Sequence, residues 1–321
     1  MQTQVGHLWE EAANWLRQNE VVAIPTETVY GLAGNALSEE AVLKIFKAKN
    51  RPHFNPLIIH THHVGAIARF VKSMPAEALA IANQFWPGPI TFLLEKRKII
   101  PDLVTAGHHK VAVRVPNHPL TQSLLEALDF PLAAPSANRF GYVSPTTAQH
   151  VLEGLNGVIP YVLDGGACTV GLESTILDFE DGQVILRRKG GISAEAIEAV
   201  IGKRLLNLTH ASDHPVAPGQ LKSHYATYTP LFTGDPETLA ARYPHKKLVI
   251  IGFGPQTPYP AFRYFNLSEL ANTDEAARNL FSIMRQADAA GGDLILAPVL
   301  PDSGLGSAVN DRLKRAAHNN K

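Results

Sequence analysis

Residues 21–31 read VVAIPTETVYG. The apolar run from Val21 to Ile24 is a strand buried on both faces, and at Pro25 it opens into Thr26, Glu27, Thr28 and Tyr30. Turns ordinarily rely on Gly, Pro, Asp or Asn. This one carries side chains that donate and accept hydrogen bonds, so the core strand ends in groups suited to holding something.

Outward from this stretch, Leu8, Trp9, Ala12, Trp15 and Leu16 recur at helical spacing and lead into the strand. Ser38 is an N-cap candidate, with Glu39 and Glu40 in the first turn of a helix that carries Val42, Leu43, Ile45 and Phe46. Strand and helix patterns alternate from there: strands over 56–61, 90–96, 110–116, 131–138, 161–166, 174–179 and 183–188, helices over 75–86, 119–129, 146–155 and 193–202. The economical reading is an α/β fold, a mixed sheet covered by helices. Near Gly202 the pattern breaks into a polar, proline-bearing stretch, and beyond it strands over 246–254 and 293–300 and helices over 273–288 and 306–317 predict a smaller α/β unit. Expected boundaries are 1–203 for a first domain, 204–245 for a linker and 246–321 for a second domain.

Composition agrees with two domains: 321 residues, 45% hydrophobic, exceed what a single core usually organises. Lys plus Arg and Asp plus Glu are 29 each, so overall charge gives no reason to expect a nucleic-acid or acidic-membrane partner, and any basic site must be local. Cys168 is the single cysteine, which excludes an internal disulfide and thiolate clusters and fits a reducing compartment. It reads as a small residue beside a glycine turn. No basic start precedes an apolar stretch and no run is long enough to span a bilayer, so a soluble, cytoplasmic protein is expected. Neither G-x-x-x-x-G-K-[ST] nor G-x-G-x-x-G occurs, and H-E-x-x-H is absent despite 14 histidines, so a P-loop, a Rossmann fingerprint and a protein-held zinc are not expected.

Five further stretches offer chemistry. Lys44, Lys47, Lys49 and Arg51 fall within eight residues. If the helix holds to Arg51, then Lys44, Lys47 and Arg51 share a face, which would meet phosphate oxygens or be a solvated basic face. In VAVRVP (111–116), alternation sets Arg114 among the small residues of a core strand. A buried arginine needs an anion, whether Glu27, Glu173 or a ligand carboxylate. Ala133, Ala134, Ser136, Ala137 and Ser144 supply little bulk where a strand ends, which lets a ligand approach backbone amides. Ser136 has no nucleophile elbow around it. Residues 164–179 bring glycines before Glu173, Ser174 and Thr175. Arg187, Arg188 and Lys189 end a strand that passes through Gly190 and Gly191 to Ser193, an arrangement suited to an anion.

Taken in order, PTETVYGL, KAKNRPHFNPL, FWPGPITFLL, VAVRVPNHP, APSAN with SPTTAQHV, GLESTILD and RKGGI resemble the Sua5/YrdC family of threonylcarbamoyl-AMP synthases over about residues 10–202. The stretch PVAPGQLKSHYAT and the second unit resemble the longer Sua5 form, which implies a YrdC-like twisted mixed sheet with a Rossmann-like C-terminal domain. The resemblance also implies a nucleotidyltransferase reaction: L-threonine, bicarbonate or CO2 and ATP give threonylcarbamoyl-AMP and pyrophosphate. The product passes to a separate threonylcarbamoyl transferase that modifies tRNA adenosine 37 (t6A). By that resemblance Thr28, His60, Arg114, the Ala134 backbone and Ser174 contact threonine. Arg51, Asn55, Lys110, Ser136, Asn138, Ser144 and Arg188 fall on the ATP side, with Arg51 and Lys49 catalytic and Tyr225 closing over the nucleotide. Mg2+ is expected with ATP and not in a protein cage. Three departures from the family pattern stand out: Lys110 where a smaller residue is usual, Lys189 in place of a proline, and SHYAT at the linker. The rival reading is an RNA-binding module without ATP turnover.

Overall fold

A computed structural model describes residues 2–209, 216–219, 224–256 and 261–317. Eleven strands build the larger sheet: β1 (Gln4–Gly6), β2 (Val22–Ile24), β3 (Gly31–Asn35), β4 (Ile58–His60), β5 (Ile90–Glu95), β6 (Lys110–Arg114), β7 (Leu132–Ala133), β8 (Tyr161–Leu163), β9 (Thr175–Glu180), β10 (Gln183–Arg188) and β11 (Leu206–Asn207). They lie in the order β1, β8, β2, β3, β7, β4, β6, β5, β9, β10, β11. Pairing is parallel at β2–β8, β4–β6 and β5–β9 and antiparallel at β2–β3, β4–β7 and β5–β6, so the sheet is mixed as expected.

The second sheet is wholly parallel, in the order β12, β15, β13, β14, from β12 (Leu231–Thr233), β13 (Leu248–Gly252), β14 (Arg263–Asn266) and β15 (Leu294–Ala297). It begins earlier than the sequence suggests. Leu231–Thr233 pairs with β15, and the helix Pro236–Arg242 follows with the Asp235 carboxylate capping the Thr238 amide. Both elements lie inside 204–245, the stretch expected as linker. Short strands with exposed or half-buried residues, such as β1 and β14, also carry no periodic signal of their own; their backbones are satisfied by distant partners.

Capping sets the helix ends that matter for the cavity. The Ser38 hydroxyl accepts from the Ala41 amide, Glu39 and Glu40 face the positive end, and helix Glu39–Lys49 stops where Asn50 turns left-handed at φ 52°. Arg51 therefore leaves the helix. The shared face of Lys44, Lys47 and Arg51 does not form: Lys44 pairs with Glu20 and Glu40, and Lys47 is exposed.

A large apolar cluster, with Tyr30, Leu32, Ile59, Phe92, Val113 and Leu177, packs one face of the larger sheet under its helices. A second cluster joins the two units: Val29, Val143, Leu172 and Tyr225 pack with Phe281, Met284 and Val309. Polar anchors reinforce that joint. Arg285 of helix Thr273–Ala289 donates to the Val143 carbonyl at 2.5 Å and to Glu153 at 2.9 Å. Among the described residues no helix is long and apolar enough to cross a membrane.

Candidate active site

The turn after β2 is built by a hydroxyl instead of a glycine. Thr26 Oγ1 accepts from the amides of Thr28 and Val29, each at 3.2 Å, and donates to the Val29 carbonyl at 2.6 Å. The Val170 amide donates to the Glu27 carbonyl at 2.7 Å and the Tyr30 hydroxyl to the Gly166 carbonyl at 2.8 Å, which tie the turn to the glycine loop before β9. Glu27 and Thr28 are thereby fixed at the mouth of the sheet.

A small cavity, of about 50 Å³, opens there. Thr28, Arg51, His60, Arg114, Ala134, Ser136, Ser174, Arg188 and Tyr225 all line it, so nine positions implied by the resemblance converge. Four more stand behind the wall. Lys49 donates to the carbonyls of Ser136 and Asn138, both at 2.5 Å. The Asn55 carbonyl accepts from Arg51 Nε at 3.2 Å, the Asn138 amide nitrogen holds the Arg139 and Tyr142 carbonyls, and the Ser144 hydroxyl donates to Glu173 at 2.7 Å.

Lys110 is the exception. It starts β6, whereas Arg114 ends it, and four strand rises set the two about 13 Å apart. Its ammonium binds Asp178 at 2.6 Å and Glu180 at 2.8 Å, in a cluster where Arg187 also holds Asp178. The positive charge at this position neutralises buried carboxylate and does not line the cavity.

Arg114 has Glu27 as its internal partner. The carboxylate and guanidinium meet at 2.8 Å, both about 95% buried, but out of hydrogen-bond alignment. Both Glu27 oxygens and Arg114 Nη2 lack a hydrogen-bond partner among the described residues. His60, opposite Arg114 in the β4–β6 register, is pushed down to about 3 by burial and then by the Arg114 charge. It is therefore a neutral imidazole.

On the other side, the cations rest on carbonyls. Arg51 donates to the Asn55 and Pro56 carbonyls and stands 5.9 Å from the Phe140 ring centre; burial, then Arg188, pushes it down to about 9. Arg188 donates to the Ser174 carbonyl at 3.0 and 2.9 Å and to the Pro218 carbonyl at 3.2 Å, and burial lowers it to about 10. Burial, then Arg51, likewise depresses Lys49. Dipoles of carbonyls do not neutralise three buried cations. The nearby carboxylates are already taken, Glu173 on the wall by Arg312 at 3.0 Å and Glu27 behind it by Arg114. Burial raises Glu173, but Arg312 and Arg188 outweigh it and hold the carboxyl below its ordinary range. What the site lacks is negative charge.

Thr26, Pro218, Gly219 and His224 also line the cavity; the sequence pointed to the stretches that hold them without giving these residues a role. His224 precedes Tyr225 in SHYAT and packs on its ring at 4.1 Å, kept neutral near 3 by burial. Adjacency to Tyr225 was its one available signal. Between them and Pro218–Gly219, residues 220–223 of the expected lid lie outside the described residues.

The family model for Sua5, YciO and YrdC, described as "Telomere recombination", matches residues 14–190, and that described as "Threonylcarbamoyl-AMP synthase, C-terminal domain" matches residues 192–318. A threonylcarbamoyl-AMP synthase of Pyrococcus abyssi is 41% identical, over 95% of this chain and 93% of the relative. One of Bacillus subtilis is 39% identical, over 96% and 92%. The crystal structure of P. abyssi Sua5 complexed with L-threonine superposes with a TM-score of 0.92 at 38% identity, covering 98% of both chains. Escherichia coli YciO shares the fold of the first unit, with a TM-score of 0.52 at 20% identity over 59% of this chain and 96% of that one. With the larger sheet, the second unit and the cavity all in place, the chain belongs to the Sua5/YrdC family of threonylcarbamoyl-AMP synthases, in its two-unit form.

Proposed function

We propose that the chain is an L-threonylcarbamoyladenylate synthase, a nucleotidyltransferase that converts L-threonine, bicarbonate or CO2 and ATP to threonylcarbamoyl-AMP and pyrophosphate. The observation that carries this reading is the cluster of buried cations around a small cavity, with Arg51, Arg188 and Lys49 in no salt bridge among the described residues. Such a wall is stabilised by a polyanion.

The threonine amine attacks CO2, forming the N–C bond and losing a proton. One carbamate oxygen then attacks the α-phosphorus, and the bond to pyrophosphate breaks. Arg114, whose Nη2 lacks a hydrogen-bond partner, takes the amino acid's carboxylate, beside Thr28, Ser174 and the neutral His60. Arg51 and Arg188 face the phosphates, where charge develops as pyrophosphate leaves, and Lys49 fixes the carbonyls at Ser136 and Asn138 that shape the adenylate side. Preorganised cations act here by position and charge, without a covalent enzyme intermediate.

The wall does not fit a resident Mg2+. Both carboxylates are committed to guanidinium groups, and among the described residues no cluster of His, Cys, Asp or Glu gathers to ligate an ion. Mg2+ is proposed as the counter-ion of ATP, held by phosphates and water, and no step is derived through it. The product is an activated, labile acyl phosphate. In this reading a cytoplasmic threonylcarbamoyl transferase consumes it in t6A modification of tRNA.

The test is pyrophosphate release from ATP with Mg2+ and bicarbonate, with L-threonine present or replaced by L-serine or L-valine. Release that needs both threonine and bicarbonate supports the synthase. ATP binding without threonine-dependent release, accompanied by salt-dependent tRNA binding, would instead favour an RNA-binding module.

A further inference from the structure

Arg312 lies on helix Gly306–Ala316 of the second unit, yet its side chain is wholly buried against the first. Its Nε donates to Glu173 Oε2 at 3.0 Å and its Nη1 to Asp311 Oδ2 at 3.0 Å, and its guanidinium stands 5.3 Å from the Tyr225 ring centre. Nη2 has no partner among the described residues. A guanidinium kept only to join two surfaces would use its whole fork, because an unmade buried bond is costly.

Of the three groups that Arg312 touches, Glu173 and Tyr225 line the cavity. Glu173 passes the contact on by accepting the Ser144 hydroxyl at 2.7 Å. Tyr225, at a left-handed φ of 63°, also stacks on Phe281 of the second unit, with ring centres 5.5 Å apart. The sequence showed none of this, since 139 residues separate Arg312 from Glu173.

We infer that Arg312 is a positioning residue for the reaction: through Glu173 and Tyr225, one side chain of the second unit sets the nucleotide side of the cavity, so the two units make a single active site. This inference rests on the function proposed above for that cavity.

The charges around Glu173 sharpen the test. It faces Arg312 from the second unit, Arg188 from β10, the Ser144 hydroxyl, and His224, which burial keeps neutral. Without Arg312, Arg188 is its remaining cation, and burial drives the carboxyl upward.

The experiment uses the full chain and the variants Arg312→Gln, Arg312→Lys, Glu173→Gln and the Arg312→Gln/Glu173→Gln double. Threonine-dependent pyrophosphate release is measured between about pH 5.5 and 8.5, alongside the thermal midpoint with and without Mg-ATP. Arg312→Gln is expected to lower kcat/KM for ATP about a hundredfold, the scale for a displaced group in a reacting geometry, and to leave KM for threonine within about threefold. It should gain a pH step that wild type and Arg312→Lys lack. The double variant should lose no more than the worse single, as residues acting as one unit do. Unchanged kcat/KM for ATP in Arg312→Gln overturns the inference. So does a loss shared equally with threonine, without a pH step and in proportion to the fall in thermal midpoint. If Arg312→Gln does not fold, the double variant, which removes the orphaned carboxylate, decides: a lowered kcat/KM for ATP supports the inference and a wild-type value overturns it. If wild type itself releases no pyrophosphate, the proposed function fails, but Mg-ATP stabilisation still separates the variants: lost in Arg312→Gln it supports the positioning role, retained it overturns it.

Discussion

Replacing Arg114 by Met strands the Glu27 carboxylate. The side chain is about 95% buried, its two oxygens have no hydrogen-bond partner among the described residues, and Arg114 is the cation it meets, at 2.8 Å. Removing one member of such a pair costs about 3–5 kcal/mol, because the survivor stays charged away from water. Glu27→Gln should cost a similar amount from the other side, since it adds Arg114 to cations that already lack carboxylates. The double variant Glu27→Gln/Arg114→Met removes both charges and should lie within about 1 kcal/mol of wild type. Urea unfolding followed by tryptophan emission measures this cleanly: Trp9, Trp15 and Trp86 all belong to the first unit, so the signal reports the unit that carries the pair. Threonine binding, followed by calorimetry, should be lost in Arg114→Met and stay lost in the double variant, which separates recognition from stability. An Arg114→Met chain within about 1 kcal/mol of wild type, or a double variant whose loss is the sum of the singles, would refute the reasoning.

Arg51→Ala should lower adenylate formation about a hundredfold or more in single-turnover assays, the scale for a lost charged donor at the transition state; near-normal turnover would remove Arg51 from the site. Lys110→Ala should leave kcat and the ATP KM within about twofold, while lowering urea stability by about 1–2 kcal/mol as Asp178 keeps Arg187 but loses one bond. Acid should destabilise the fold through two buried imidazoles. His60 and His224 are both held near 3, so as pH falls from about 6.5 the unfolded chain takes up protons that the folded one refuses, and stability declines towards about pH 3. His60→Gln should flatten that decline in pH-dependent urea titrations; an unchanged slope would mean the folded and unfolded chains protonate this imidazole alike.

Much of the fold was legible because its central strands are apolar runs too short for helices. Val22–Ile24, Ile58–His60 and Lys110–Arg114 stood out in this way. The two-residue strands β7 and β11, and the polar Arg263–Asn266, are strands through their partners alone. At the site, local sequence narrowed the partner of Arg114 to two carboxylates or a ligand; only the packing of the 25–30 turn beside β6 assigned Glu27. The shared cationic face failed for a local reason, since Asn50 ends the helix one residue before Arg51. Lys110 failed for a geometric one. Side chains four apart share a strand face, but a cavity at one end of the sheet meets only the last of them.

Strand synthesis and cavity completion are separated in time. Every strand of the larger sheet has been translated by Asn207, whereas the cation for Glu173 arrives 139 residues after its carboxylate. Chains fold from the N-terminus as they emerge. A chain halted between the two leaves Glu173 with Arg188 as its remaining cation, and burial then raises the carboxyl. The second unit thus supplies, last in the order of synthesis, the ion-pair partner of a carboxylate that the first unit places on the cavity wall.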